Sequence, residues 1–237
     1  MPPAYSIFVA GYRAQTTSGQ QNDVTVTDQN IIPVPLVAIP MKVNSTSNRD
    51  SAHGSGVRAI DIYGLDNNFN EIEETLALNG TTPVNTALSY RRINAMHARD
   101  VGAPGAASVG LIGIYDLSGE HTYNAIGPGV NMSLQAHYTV PRNRTCKILS
   151  WGPCVSGAQS QSIALMLLRA TCAWKDRTIL PGTFIFQDII IASDGPSSRV
   201  FIEPRIIPAT ADIKVSAILL NGSHPCRLSA SIEMRIE

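Results

Sequence analysis

Apolar and polar residues alternate with a period of two along much of the chain. Met132, Leu134, Ala136, Tyr138 and Val140 interleave with Ser133, Gln135, His137 and Thr139, the pattern of a strand with one buried face, and this places His137 on the solvent side. Pro141 then withdraws an amide donor and marks the strand's end. Ile213, Val215, Ala217 and Leu219 repeat the pattern. After Asn221-Gly222 so do Leu228, Ala230, Ile232, Met234 and Ile236, which predicts a β-hairpin. A second hairpin is predicted from residues 57–65 and 72–78, turning at Asp66-Asn67-Asn68 and closed by Asn79-Gly80. Further strands are expected over residues 5–10, 23–27, 90–97, 109–115, 146–151, 184–192 and 199–202. Residues 160–174 have the length of either element; the β-branched Thr171 and the lack of a cap-and-staple pair before Ser160 favour a strand. Strands this numerous, separated by Gly, Pro, Ser and Asn clusters, predict an all-β chain. The expected architecture is a β-sandwich or jelly-roll-like domain, or domains, with an extended N-terminal arm.

The arm is the exception to the alternation. Residues 15–22 are rich in Ser, Thr, Gln and Asn and read as a solvated loop, whereas residues 31–40 space three prolines after the first two isoleucines among apolar side chains. Proline excludes a helix and a central strand there. Two readings follow: an edge or extended segment packed on this chain's own core, or an arm that contacts a neighbouring subunit through Ile31, Ile32, Val34, Leu36, Val37 and Ile39. Residues 45–55, with their Ser, Asn and Gly content, read as a hinge. The expected division is residues 1–55 (strand, polar loop and arm) and 56–237 (the sandwich region), with a possible subdivision near residue 130.

Composition narrows the partners. At 237 residues the chain suits one large β domain or two small ones, large enough to fold without disulfide or metal staples. Lys+Arg 18 balance Asp+Glu 18, and only 15% of residues are charged. Without a cationic stripe nucleic acid is not an expected partner. A weakly charged, neutral surface instead favours association. No apolar run approaches the length of a membrane-crossing helix, and the opening Met1-Pro2-Pro3-Ala4-Tyr5 lacks the form of a signal peptide, so folding in the cytosol is expected. On that basis the sequons at Asn44, Asn79 and Asn143 carry little weight, and Cys146, Cys154, Cys172 and Cys226 are expected to be free thiols.

Candidate chemistry is sparse. His53-Gly54-Ser55-Gly56 has the wrong spacing for a nucleophile elbow and reads as linker with His53 exposed. His53, His97, His121, His137 and His224 stand apart in sequence and form no ligand pair. Glu71 and Glu73 would share a strand face about 7 Å apart, near glycosidase spacing, but an acidic strand face is ordinarily just solvated. Asp66, Asn68 and Asn70 copy the opening of a calcium loop, yet Glu71 stands where glycine belongs and Ala77 where the closing glutamate belongs. A turn in which these side chains bond the local backbone accounts for them better. Trp151 and Trp174 read as core or interface anchors in preference to sugar platforms. No catalytic residue, cofactor or metal is expected.

Residues 57–82, which contain Tyr63-Gly64-Leu65-Asp66-Asn67-Asn68 and Leu78-Asn79-Gly80-Thr81, resemble a block of virion proteins from tailed bacteriophages, especially short-tailed phages of cyanobacteria and marine bacteria. Gln135-Ala136-His137-Tyr138-Thr139-Val140-Pro141 and Ile207-Pro208-Ala209-Thr210-Ala211-Asp212-Ile213-Lys214-Val215 resemble the same proteins. The similarity spans residues 55–237 and leaves the arm outside it. Arg142-Asn143-Arg144 departs from the small turn usual there. The resemblance implies a non-enzymatic structural protein of the particle. The leading expectation is a capsid decoration or cement protein on the capsid surface, partnered by the major capsid protein and by itself, with a homotrimer suggested by analogy with decoration proteins. The alternatives are a tail or adaptor component, a receptor- or glycan-binding module, and, least supported, a polysaccharide-cleaving enzyme.

Overall fold

A computed structural model describes residues 3–13, 19–27, 29–157, 162–193, 195–221 and 226–237. Among them the chain is all-β, as the alternation predicts, with seventeen strands. No helix there is long and apolar enough to cross a membrane. In chain order the strands are β1 Tyr5–Arg13, β2 Gln21–Asp23, β3 Ile39–Ser45, β4 Val57–Leu65, β5 Glu71–Ala77, β6 Val84–Tyr90, β7 Arg92–Val101, β8 Ile112–Asp116 and β9 Thr122–Ile126. They continue as β10 His137–Thr139, β11 Cys146–Gly157, β12 Ile163–Ala170, β13 Ile185–Ala192, β14 Gly195–Pro196, β15 Arg199–Ile207, β16 Asp212–Asn221 and β17 Cys226–Ile236.

The strands form two compact units, one of Ile32–Leu134 and one of Met1–Ile31 with Gln135–Glu237. This differs from the expected 1–55 and 56–237 division. The arm starts the first of these units, and the N-terminal strands belong with the C-terminal half. Local pattern cannot reveal this, because it depends on which distant strand each segment pairs with.

In the 32–134 unit one sheet runs β6-β3-β8-β9 and the other β5-β4-β7. Met41, Val43, Ile60, Ile62, Met96 and Ile114 meet in its core. The predicted β4–β5 hairpin is present, from Leu65↔Glu71 to Ala59↔Ala77. Strand β3 escapes the pattern because it opens on Ile39-Pro40. Those two residues pair only with β6, the register shifts after Pro40, and β8 joins from Met41 onward. The ring therefore occupies a stretch with a neighbour on one side only, where its missing N–H is tolerated.

Residues 45–55 are no hinge. Asp50 is fully buried, and its carboxylate accepts hydrogen bonds from the N–H groups of Val57 (3.0 Å), Val109 (3.0 Å) and Gly110 (2.8 Å) and from the Ser45 hydroxyl (2.7 Å). A Cβ on Gly56 would collide with this carboxylate, which explains the glycine. Gly80, at φ 61°, donates its N–H to the Asp50 carbonyl and accepts from Ser45 N–H with its own, so the Asn79-Gly80 turn docks on the same loop.

The other unit is a sandwich of β1-β17-β11 flanked by β14 and β15, facing β16-β12-β13 with β10 and β2 on the far side of β16. Strand β17 alternates as read: Leu228, Ala230, Ile232, Met234 and Ile236 are all buried. Residues 163–170 are a strand between β13 and β16. The hairpin expected across Asn221-Gly222 is not formed among the described residues: β16 pairs β2, β10 and β12, whereas β17 pairs β1 and β11 in the other sheet, because each alternating strand finds its partner far along the chain instead of across the turn. The long strand expected over 132–140 is divided. Met132 and Ser133 bridge to His97 and Ile126, Gln135 bridges to Thr25, and only His137–Thr139 pair as a strand, with β16. His137 is buried instead of solvated, 4.0 Å from Asp212, because both faces of this stretch are covered. On β16, Lys214 and Ser216 reach Asp23 of β2 at 2.8 and 2.7 Å, all three buried.

All four cysteines are free thiols. Burial pushes the Cys146 and Cys172 thiols up, and Cys154 is the half-buried one, so a thiol reagent should modify Cys154 first in the native protein and all four in denaturant. Asp50→Ala leaves three backbone N–H groups and a hydroxyl without their acceptor, and should cost about 3 kcal/mol in chemical denaturation, with Asp50→Asn costing less because the amide oxygen still accepts.

Candidate functional site

The polar residues singled out in the sequence do not converge. Glu71 and Glu73 do lie on the exposed face of β5. Glu73 lines an open polar depression of about 290 Å³ with Asp61, Tyr63, Glu74, Thr75 and Arg99. In it Thr75 donates to Asp61 at 2.6 Å and Arg99 pairs with Asp61 at 3.4 Å. Glu74 is committed to its own fold, accepting from the N–H groups of Ala87 and Leu88. Burial and the carboxylates of Asp61 and Glu73 push the Tyr63 phenol up, against the pull of Arg99, which takes it further from acid–base chemistry at neutral pH.

Asp66 behaves as the turn reading requires. Its carboxylate accepts from Asn68 N–H and Asn70 N–H, both at 2.8 Å, and from the Asn70 side chain at 2.9 Å, so its oxygens face the local backbone. Among the described residues no group of three or more His, Cys, Asp or Glu converges as metal ligands would. His53 is exposed, His97 stacks near Tyr63 with ring centroids 5.1 Å apart, and His224 lies outside the described residues. His121 bonds Asp116 at 2.8 Å in the β8–β9 turn. Partial burial opposes ionisation of Asp116, but hydrogen bonds from His121, Ser118 and the Gly119 N–H outweigh it and hold the carboxyl down at about 2.

The six apolar residues of the arm separate. Ile32 is buried, Val34 and Ile39 are half-buried, and Ile31, Leu36 and Val37 are exposed, Leu36 to 85%. Two hydrogen bonds fix the exposed part: Asn67 Oδ1 accepts from Ala38 N–H at 3.1 Å, and the Pro35 carbonyl accepts from Arg92 at 2.8 Å. The segment is therefore held extended against its own unit while Leu36 and Val37 face outward. The reading of an extended segment packed on this chain's own core holds for Ile32.

The larger apolar surface was not read from the sequence. It is divided between β13 and β15, which belong to the two different sheets of the other unit. Trp151 is core, its Nε1–H donating to Asp188 of β13 at 2.8 Å. Trp174 is exposed, with its Nε1–H donating to the Phe186 carbonyl. Ile189 and Ile191 on β13 and Val200, Ile202 and Ile206 on β15 also stand in solvent. The signal was present, since Ile189-Ile190-Ile191 breaks alternation with an unbroken apolar run, but such a run equally fits a strand buried on both faces.

No protein-family model and no curated protein matches the sequence. Two solved structures, one of the infectious bursal disease virus Gx strain and one of a mutant VP2 protein of infectious bursal disease virus in derived T=1 particles, align with 99% of this chain. The alignments cover 76% and 73% of those chains at 7% identity, with a TM-score of 0.21 for each. A TM-score that low does not establish a shared fold.

Because Ile32 is buried and Leu36 is not, Ile32→Ala should cost ~2–4 kcal/mol, whereas Leu36→Ala should stay within about 0.5 kcal/mol of the parent. Urea denaturation of both variants checks this.

Proposed function

We propose that this chain is a non-enzymatic structural subunit of a virus particle, and more finely a capsid decoration or cement protein that associates with itself and with the major capsid protein on the outside of the shell. One observation carries the reading: tandem β-sandwich units hold large apolar side chains out in solvent on a rigid frame, at Leu36 and Val37 on one and along β13 and β15 on the other. A lone soluble domain gains nothing from such surfaces, while a subunit that ends up covered by neighbours needs them. A net charge of +0 leaves little repulsion between copies. The resemblance of residues 57–82 and the two later segments to virion proteins of tailed phages points the same way.

The test is stoichiometry. Quantitative gel analysis of purified particles should give a copy number equal to that of the shell subunits or a simple fraction of it, and the protein should bind shells assembled without it. A copy number matching a single ring at one vertex would place the protein in the tail and overturn the decoration reading.

A further inference from the structure

We propose that Lys214 of β16 and Asp23 of β2 condense inside the folded chain to an isopeptide bond, a covalent clamp between two distant stretches of the Met1–Ile31/Gln135–Glu237 unit. The inference goes beyond the structural role proposed above and does not depend on it.

The first ground is placement. The register sets Asp23 opposite Ser216, and Lys214, two residues before Ser216, shares its face of β16. Lys214 Nζ lies 2.8 Å from Asp23 Oδ2, across 191 residues of sequence. An amine so close to one carboxylate oxygen is near the separation of about 3–3.5 Å from which it attacks the carboxyl carbon. Both ends are held. Asp23 N–H donates to the Asn30 carbonyl at 2.7 Å and Val24 N–H to the Val215 carbonyl at 3.0 Å, while β16 has β10 and β2 along one side and β12 along the other.

The second ground is the surroundings. The Lys214 and Asp23 side chains are 4% and 0% exposed, and the Phe184 ring lies 4.2 Å from Nζ, which keeps bulk water from the reacting atoms. The Ser216 hydroxyl donates to Asp23 Oδ1 at 2.7 Å. Oδ1 is the oxygen that stays as the amide carbonyl, and a donor already aimed at it stabilises the charge that gathers there as the carbon turns tetrahedral. His137 of β10 and Arg169 of β12 stand opposite Lys214 in the two registers, and His137 lies 4.0 Å from Asp212. Arg169 keeps its charge throughout and takes no part in the step.

The step balances without a co-reactant. A proton passes from the Lys214 ammonium along the hydrogen bond to Asp23 Oδ2, which gives an amine and a carboxylic acid. The Nζ lone pair then attacks Cγ, the Cγ–Oδ2 bond breaks, and Oδ2 leaves as water with a second proton from the nitrogen. His137 is the group placed to carry that second proton. Nothing is oxidised or reduced. Orientation within one folded chain is worth an effective concentration of about 10⁵–10⁸ M, and the product replaces a costly buried ion pair with a neutral amide.

The third ground is what the bond would secure. Strand β2 is three residues long, and all four cysteines are free thiols. An amide cross-link fastens this short strand to β16 in a form that reducing conditions leave intact.

Mass spectrometry of the full chain, folded, purified and then unfolded in acid, tests the proposal. The parent should weigh one water less than its sequence. Trypsin should release the segment that holds Asp23 joined to the segment that holds Lys214, with no cut after Lys214. Lys214→Arg keeps the cation but offers no nucleophilic amine, and Asp23→Ala removes the carboxyl, so each should show its full mass. A parent of full mass overturns the proposal and leaves a buried ion pair. A lost water that fragmentation places at other residues, or that persists in either variant, overturns it as well. The parent's own mass and fragments decide the question even where a variant does not fold.

Discussion

A carboxylate taken out of water must be answered by donors inside the protein, and each unit of this chain is organised around one that is. In the 32–134 unit Asp50 is answered by neutral groups. Backbone N–H groups from residues 57, 109 and 110 and the Ser45 hydroxyl supply the donors, so one ion holds the ends of β3 and β4 and the approach to β8 in register. In the other unit Asp23 is met by Lys214 and Ser216, which ties the short strand β2 to β16. Removing either partner of such a buried pair is far more damaging than never having built it, because the survivor stays charged and dry. Asp50 sits in a stretch that composition marks as a hinge, whereas Asp23 opens the stretch 23–27 expected as a strand.

That explains much of what was and was not legible. Strands with one wet and one dry face were plain, as in β17 and the β4–β5 hairpin. Reading failed wherever both faces are covered, since alternation then no longer says which residues meet solvent: His137 was placed outside and lies inside. It failed also at β3, β6 and β9, whose Pro, Asn and Thr content hides strands that are recruited by neighbours from far along the chain. Asp50 shows the limit most clearly. Ser45 to Gly56 has the residues of a flexible connection, and only the convergence of remote amides reveals a packed loop.

The exposed apolar side chains were half visible. Prolines among aliphatic residues flagged the arm correctly as something other than an ordinary strand, and Leu36 and Val37 do face outward. The exposed apolar residues of β13 and of β15 went unnoticed because exposure is a property of topology: an apolar strand is buried in the middle of a sheet and bare at its margin, with the same residues in either place. Among the described residues β12 and β13 are both apolar, and only β12 has a strand on each side.

The order of the strands also sets a schedule for synthesis. Every pairing of the 32–134 unit is made within about a hundred consecutive residues, and it is finished before most of its companion exists. Strand β1, by contrast, pairs Tyr5 with Ile236 and Arg13 with Leu228. A ribosome adding residues at about 5–20 per second leaves that first strand waiting for its partner for on the order of ten seconds or more, bearing Ile7, Phe8 and Val9 with no sheet to join. An early strand that depends on one made so much later is where a nascent chain is most open to pairing with the wrong molecule. The completed inserted unit keeps that interval from being spent on an entirely unfolded chain.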